Sequence, residues 1–123
     1  MIGYIKGKIT GIFPDYCFIE TSGVGYMVYI SDVSREELIS GEETRLFTYL
    51  AVRQDALTLY GFTTTEERDL FLLLITVSGI GARVALGILS AVRPAVFSMA
   101  VRNKDKAMLT RLPGIGRKTA ERL

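Results

Sequence analysis

The sequence predicts a small β barrel followed by a helical domain. Three observations carry that prediction. Residues 1–62 hold five segments rich in β-branched and aromatic residues, separated by turn signals. Residues 63–123 show helical spacing of apolar residues punctuated by Gly and Pro. The charge divides at the same place: five Lys/Arg against eight Asp/Glu in the first half, ten against five in the second.

The predicted strands are Ile2 to Ile9, Tyr16 to Glu20, Tyr26 to Ser31, Thr44 to Val52 and Leu57 to Gly61. Pro14-Asp15, Ser22-Gly23-Val24-Gly25, Ser40-Gly41 and Gln54-Asp55 mark the turns between them. Tyr26, Val28 and Ile30 alternate with Met27 and Tyr29, yet both sets are apolar, so much of the sheet is expected to be buried on both faces, as in a closed barrel. Ser34 to Ile39 reads as a helical turn with a Ser34/Glu37 capping box. Five strands with a helix between the third and fourth is the layout of an OB-type barrel. A sixth strand arises if the long first segment bends at Gly7.

In the second half, Thr64 and Glu67 form a capping box for a helix running to about Val77. Gly79 and Gly81 break it, and Arg83 to Ala91 resumes. Pro94 suits the first turn of the next helix. Ala95 to Val101 and Asp105 to Leu112 are short helices joined at Asn103-Lys104. After Pro113-Gly114-Ile115-Gly116, Arg117 to Leu123 starts a last helix. It reaches Leu123 with no C-cap or Gly stop signal, from which we expect a chain cut from something longer.

Composition narrows the function. About half of the residues, 49%, are hydrophobic, which fits a globular protein. No apolar run approaches the roughly 18 residues of a membrane span, and Met1-Ile2-Gly3-Tyr4 does not open a signal peptide. The single cysteine, Cys17, allows no internal disulfide and suits a reducing cytoplasm. Flanked by Tyr16 and Phe18, it reads as an inert strand residue. There is no histidine, the commonest general base and metal ligand, and one cysteine builds no zinc site. Glu36-Glu37, Glu42-Glu43 and Glu66-Glu67 read as solvated surface pairs. No catalytic residue, metal site or cofactor is predicted.

One motif occurs twice. Ser78-Gly79-Ile80-Gly81-Ala82-Arg83 and Pro113-Gly114-Ile115-Gly116-Arg117-Lys118 share Gly-apolar-Gly followed by a basic residue, 35 positions apart. A glycine turn that opens a helix presents unpaired N–H groups at the positive end of the helix dipole, where a phosphate fits. A single copy is equally well read as a tight corner between helices; duplication and the basic surroundings favour phosphate. Ile80 and Ile115 plug each turn into the core, Arg83, Arg117 and Lys118 bring charge, and Thr119 adds a hydroxyl. Val84 and Thr119 stand where a dinucleotide fingerprint requires glycine, and Arg117 stands before Lys118 where a P-loop does. The pair therefore predicts contact with a nucleic-acid backbone. Arg53-Gln54-Asp55, between the last two strands, reads as an ordinary polar hairpin tip.

Further matches extend these observations. Met1-Ile2-Gly3, Gly23-Val24-Gly25-Tyr26, Val52-Arg53-Gln54-Asp55-Ala56, Leu59-Tyr60-Gly61-Phe62, Glu67-Arg68, Gly79-Ile80-Gly81 and the run from Leu112 to Leu123 together resemble the RuvA family, bacterial subunits that bind Holliday junctions for branch migration in recombination and repair. The resemblance implies an OB-type barrel at 1–62 that takes part in tetramer formation, then two helix-hairpin-helix motifs at 63–123. It implies a homotetramer, or two stacked, holding an open four-way junction. The DNA contacts it implies are Gly79, Ile80, Gly81, Ala82 and Arg83, with Gly114, Ile115, Gly116, Arg117, Lys118 and Thr119. It makes Arg53, Gln54 and Asp55 a pin at the junction centre, with Gln54 where the family usually has glutamate. It implies a cytoplasmic, non-catalytic protein whose motor partner is the hexameric ATPase RuvB; the domain that contacts the motor lies beyond the matched region. The alternative is a general barrel and hairpin repair module for duplex or single strands, with Tyr4, Phe13 or Tyr29 stacking on bases.

Overall fold

The computed structural model describes residues 1–123, the side chains of 117 and 118 excepted. The chain divides into two compact units, Met1–Arg68 and Asp69–Leu123.

The first unit is a closed barrel of five strands: β1 (Tyr4–Ile12), β2 (Tyr16–Thr21), β3 (Val24–Ile30), β4 (Glu43–Val52) and β5 (Leu57–Phe62), in the spatial order β1-β2-β3-β5-β4. β3 and β5 run parallel and every other pair is antiparallel. The inward row is apolar: Ile5, Ile9, Cys17, Ile19, Val28, Ile30 and Leu46 are buried together. Period-2 alternation thus sets the register, because a slip of one residue would turn this row outward.

The first strand does not split. β1 is continuous, pairing with β4 from Tyr4 to Lys8 and with β2 from Lys8 to Ile12. One strand shared by two neighbours is how five strands close without a sixth. Near this handover a Cβ on Gly7 would strike the Glu20 carbonyl. The β2–β3 turn is tighter than the four residues expected. Ser22 and Gly23 alone form it, both at positive φ, and Thr21 pairs with Val24.

The helix between β3 and β4 is capped one turn earlier than the sequence suggested. α1 is Asp32–Glu37, and its N-cap is Ser31, whose Oγ accepts from the Ser34 N–H at 3.1 Å. Ser34 is instead buried, for a reason that lies at residue 67. α2 (Thr65–Leu74) begins where expected, with the Glu67 N–H donating to Thr64 Oγ1 at 3.3 Å. The Glu67 carboxylate does not turn back to the cap. It is 2% exposed and accepts from Ser31 Oγ at 2.8 Å and from Ser34 Oγ at 2.5 Å. The reading of Glu67 as a solvated carboxylate is therefore wrong. The chain reversal after β5 brings it over α1, where two hydroxyls replace water as its donors.

The boundary between the units falls inside α2. α2 ends at Leu74, short of Val77, and a looser turn follows in which the Val77 N–H donates to the Leu74 carbonyl. The second unit continues with α3 (Ala82–Ala91), α4 (Pro94–Arg102), α5 (Lys106–Thr110) and α6 (Arg117–Arg122). Pro94 opens α4, and Asp105 caps α5 by accepting from the Met108 N–H at 3.1 Å. Phe71, Leu74, Ile80, Ala85, Ile88, Leu89, Phe97 and Leu109 are buried. Among the described residues no single helix is long and apolar enough to cross a membrane.

Candidate nucleic-acid interface

The two glycine motifs fold into the same structure. Gly79 has φ +93° and Gly114 φ +74°, the left-handed region in which a side chain is strained. The next residue is an isoleucine whose N–H closes the turn. Ile80 donates to the Val77 carbonyl at 3.0 Å and Ile115 to the Leu112 carbonyl at 3.2 Å. Both isoleucines are buried, at 4% and 5% exposure, so each plugs its turn into the core as expected. The second glycine then caps the following helix in extended conformation, Gly81 at φ −89°, ψ 178° and Gly116 at φ −88°, ψ 177°.

Neither cap has a side-chain hydrogen bond to the helix, and neither first turn holds an acidic residue. The N–H groups of these turns therefore keep their positive field for a ligand. The four glycines divide into two kinds. A Cβ on Gly79 would lie 3.2 Å from Thr119 Oγ1, and one on Gly114 would lie 2.9 Å from Val84 Cγ1. A Cβ on Gly81 or Gly116 would meet nothing within 4 Å. The open approach to the backbone is thus at the second glycine of each pair, and the first is closed by packing.

Arg83 is exposed in the first turn of α3, and Ala82 beside it is buried. Arg117 and Lys118 lie in the first turn of α6, but their side chains are outside the described residues. Thr119 rests on Gly79, across from its own hairpin. Arg122, missed by the sequence reading, donates from Nη1 to the Ser78 carbonyl at 3.1 Å. Its signal was present in the 35-residue spacing, which sets Arg122 opposite Gly87.

In the barrel unit, Arg53, Gln54 and Asp55 are exposed at the β4–β5 tip, which closes with the Arg53 N–H on the Ala56 carbonyl at 2.9 Å. The aromatics named for base stacking are engaged. Phe13 stacks on Tyr16 with ring centroids 4.6 Å apart, Tyr29 lies against Tyr16 and Tyr60, and the Arg45 guanidinium sits 4.5 Å over the Tyr4 ring.

A closed barrel joined to a tandem of helix-hairpin-helix motifs defines the class of protein. The family described as RuvA N terminal domain matches residues 1–61, and SAM-like Helix-hairpin-helix tandem matches residues 71–123. The Holliday junction branch migration complex subunit RuvA of Natranaerobius thermophilus is 45% identical over 124 residues, that of Symbiobacterium thermophilum 47% over 124, and that of Staphylococcus aureus 42% over 123. Each alignment covers the whole of this chain, and it spans 58%, 60% and 62% of those proteins respectively. The chain belongs to the RuvA family.

Proposed function

We propose that this chain binds four-way DNA junctions without sequence preference and serves as a non-catalytic scaffold for branch migration. The observation that carries the reading is the pair of hairpins with matching backbone angles whose second glycines, Gly81 and Gly116, cap helices with no side-chain cap and no Cβ neighbour. Each offers backbone N–H groups to a phosphate, and contacts to phosphate carry no direct sequence information. Arg83 adds charge at the first hairpin, and Arg117, Lys118 and Thr119 belong to the second.

Fourfold assembly suits a four-armed ligand, and a tetramer, single or stacked in pairs, is part of the reading. So are Arg53, Gln54 and Asp55 as the pin at the junction centre, a cytoplasmic location, and an ATPase motor as the partner that supplies energy. The relatives' shared description as subunits of a Holliday junction branch migration complex supports the junction and a partner in that complex.

The test is a competition binding assay with a synthetic four-way junction, linear duplex and single strand of matched length. Junction should win and sequence should not matter. Preference for single strand would transfer the function to the barrel aromatics and overturn the reading. Native mass measurement of the same mixture reports the assembly state.

A further inference from the structure

Helix α4 is apolar on two sides. Phe97 and Ala100 are buried in the core. Val96 and Met99, 52% and 55% exposed, stand three residues apart on the outside. Single exposed apolar residues are ordinary. These two, with Met108 beyond them, line one groove of about 410 Å³, to which Asn103 and Asp105 add polar atoms. A pocket of that volume is within the range that buries a short ligand. Methionine is flexible and polarisable, and grooves that use it adapt to partner segments of varied sequence.

The surroundings set the charge of the partner. Residues 93–106 hold four Lys/Arg and one acidic residue, Asp105. Arg93 caps the N-terminus of α4, Arg102 lies in its last turn, Lys104 in the connection to α5, and Lys106 opens α5; all four are exposed. Lys106 reaches Glu121 at 3.7 Å. Arg93, Arg102 and Lys104 make no ion pair among the described residues. Lys104 has φ +52°, so a cation stands where glycine would relieve the backbone. The one carboxylate is committed, since Asp105 Oδ1 accepts from the Met108 N–H at 3.1 Å. It also fills the helix terminus that a phosphate would otherwise meet, which argues against DNA as the occupant. The Asn103 amide has no hydrogen bond among the described residues and is placed to meet a peptide backbone.

We infer that the groove between α4 and α5 docks an acidic, amphipathic segment of a partner protein. Its apolar side chains lie on Val96, Met99 and Met108, and its carboxylates meet the cations at the ends of the two helices. This surface is separate from the glycine hairpins, and the inference does not depend on them.

The experiment selects a displayed random peptide library on the full chain. Enriched peptides should be net acidic, with apolar residues at helical spacing. Neutral or basic winners, or no enrichment, overturn the inference. A synthetic copy of an enriched peptide should lose about tenfold in affinity when its Asp and Glu become Asn and Gln, and the loss should shrink as salt rises. An unchanged affinity overturns the role of charge and the inference with it. The double variant Val96→Ser with Met99→Ser should bind the acidic peptide about tenfold more weakly while its affinity for a synthetic four-way junction and its native mass stay those of the unsubstituted chain. Undiminished peptide binding overturns the inference. So does weakened junction binding, which would give the groove to DNA, or a changed mass, which would give it to a second copy of the chain. Thermal unfolding shows whether the variant is folded. If it is not, hydrogen exchange on the unsubstituted chain decides: the peptide should protect α4 and α5, and protection elsewhere alone overturns the inference.

Discussion

At Gly114 two constraints coincide. The backbone is at φ +74°, and a Cβ would lie 2.9 Å from Val84 Cγ1. Left-handed backbone costs a residue with a side chain about 1–2 kcal/mol, and overpacking adds about 1–3 kcal/mol. Gly114→Ala should therefore lower the midpoint of thermal unfolding markedly, and Gly79→Ala somewhat less, since the 3.2 Å approach to Thr119 gives more readily. Gly81→Ala is the informative contrast. Gly81 has φ −89° and open space around its Cβ position, so the change should cost less than about 1 kcal/mol as the loss of a glycine cap. On the proposed function it should still weaken DNA binding, because a methyl group would stand where the phosphate approaches. Calorimetry and binding measured on the three variants separate fold from function. Cys17 offers a second check at this scale. Burial pushes its thiol from 9.0 up to about 11, so the folded chain resists ionisation that the unfolded chain accepts. The contribution of Cys17 to stability is full below pH 9.0 and is lost as pH rises toward about 11. Labelling by a thiol reagent at pH 8 should be negligible until the chain unfolds, and prompt labelling of native protein would contradict that.

Among the elements, α2 is where local sequence and tertiary context part. The Thr64 cap was legible because it is local: a hydroxyl three residues before Glu67 meets its N–H. The destination of the Glu67 side chain was not, since Ser31 and Ser34 stand 36 and 33 residues away and only the return of β5 brings them together. Ser34 looked like a cap because Glu37 follows it by three, whereas its hydroxyl is given to the distant Glu67. The hairpins show the opposite case. Their turns, plugs and following helices were readable because a repeat at 35 residues constrains two copies at once, and one copy tests the other. What the repeat did not disclose was the two-fold packing that sets Val84 on Gly114 and Thr119 on Gly79. The buried node at α2 should be costly to break. Glu67→Ala leaves two buried hydroxyls without their acceptor and should lower stability by about 2–4 kcal/mol in urea unfolding. Glu67→Gln keeps one acceptor oxygen in place and should lose less. A Glu67→Gln variant more stable than the unsubstituted chain would show that the buried carboxylate is itself the burden.

For the whole molecule, the sequence places a net charge of −3 in residues 1–62 and +5 in residues 63–123. A polyanion is drawn to the second region and repelled by the first, and the total of +2 conceals both. Asp55 is the acidic residue at the exposed β4–β5 tip, beside Arg53 and Gln54. On the proposed function this tip stands near converging phosphates, where a carboxylate repels them. Such repulsion in solvent, at about 4–8 Å, is worth about 0.5–1 kcal/mol per charge and is screened over about 10 Å at 0.1 M salt. Asp55→Asn should therefore tighten junction binding a few-fold per tip at low salt, and the gain should fade as salt rises. Linear duplex, which has no crossover to meet the tip, should show no gain at any salt. In the complete motor assembly, tighter hold on the crossover should slow branch migration. Equal tightening on junction and duplex would mean that Asp55 acts only through the net charge of the chain.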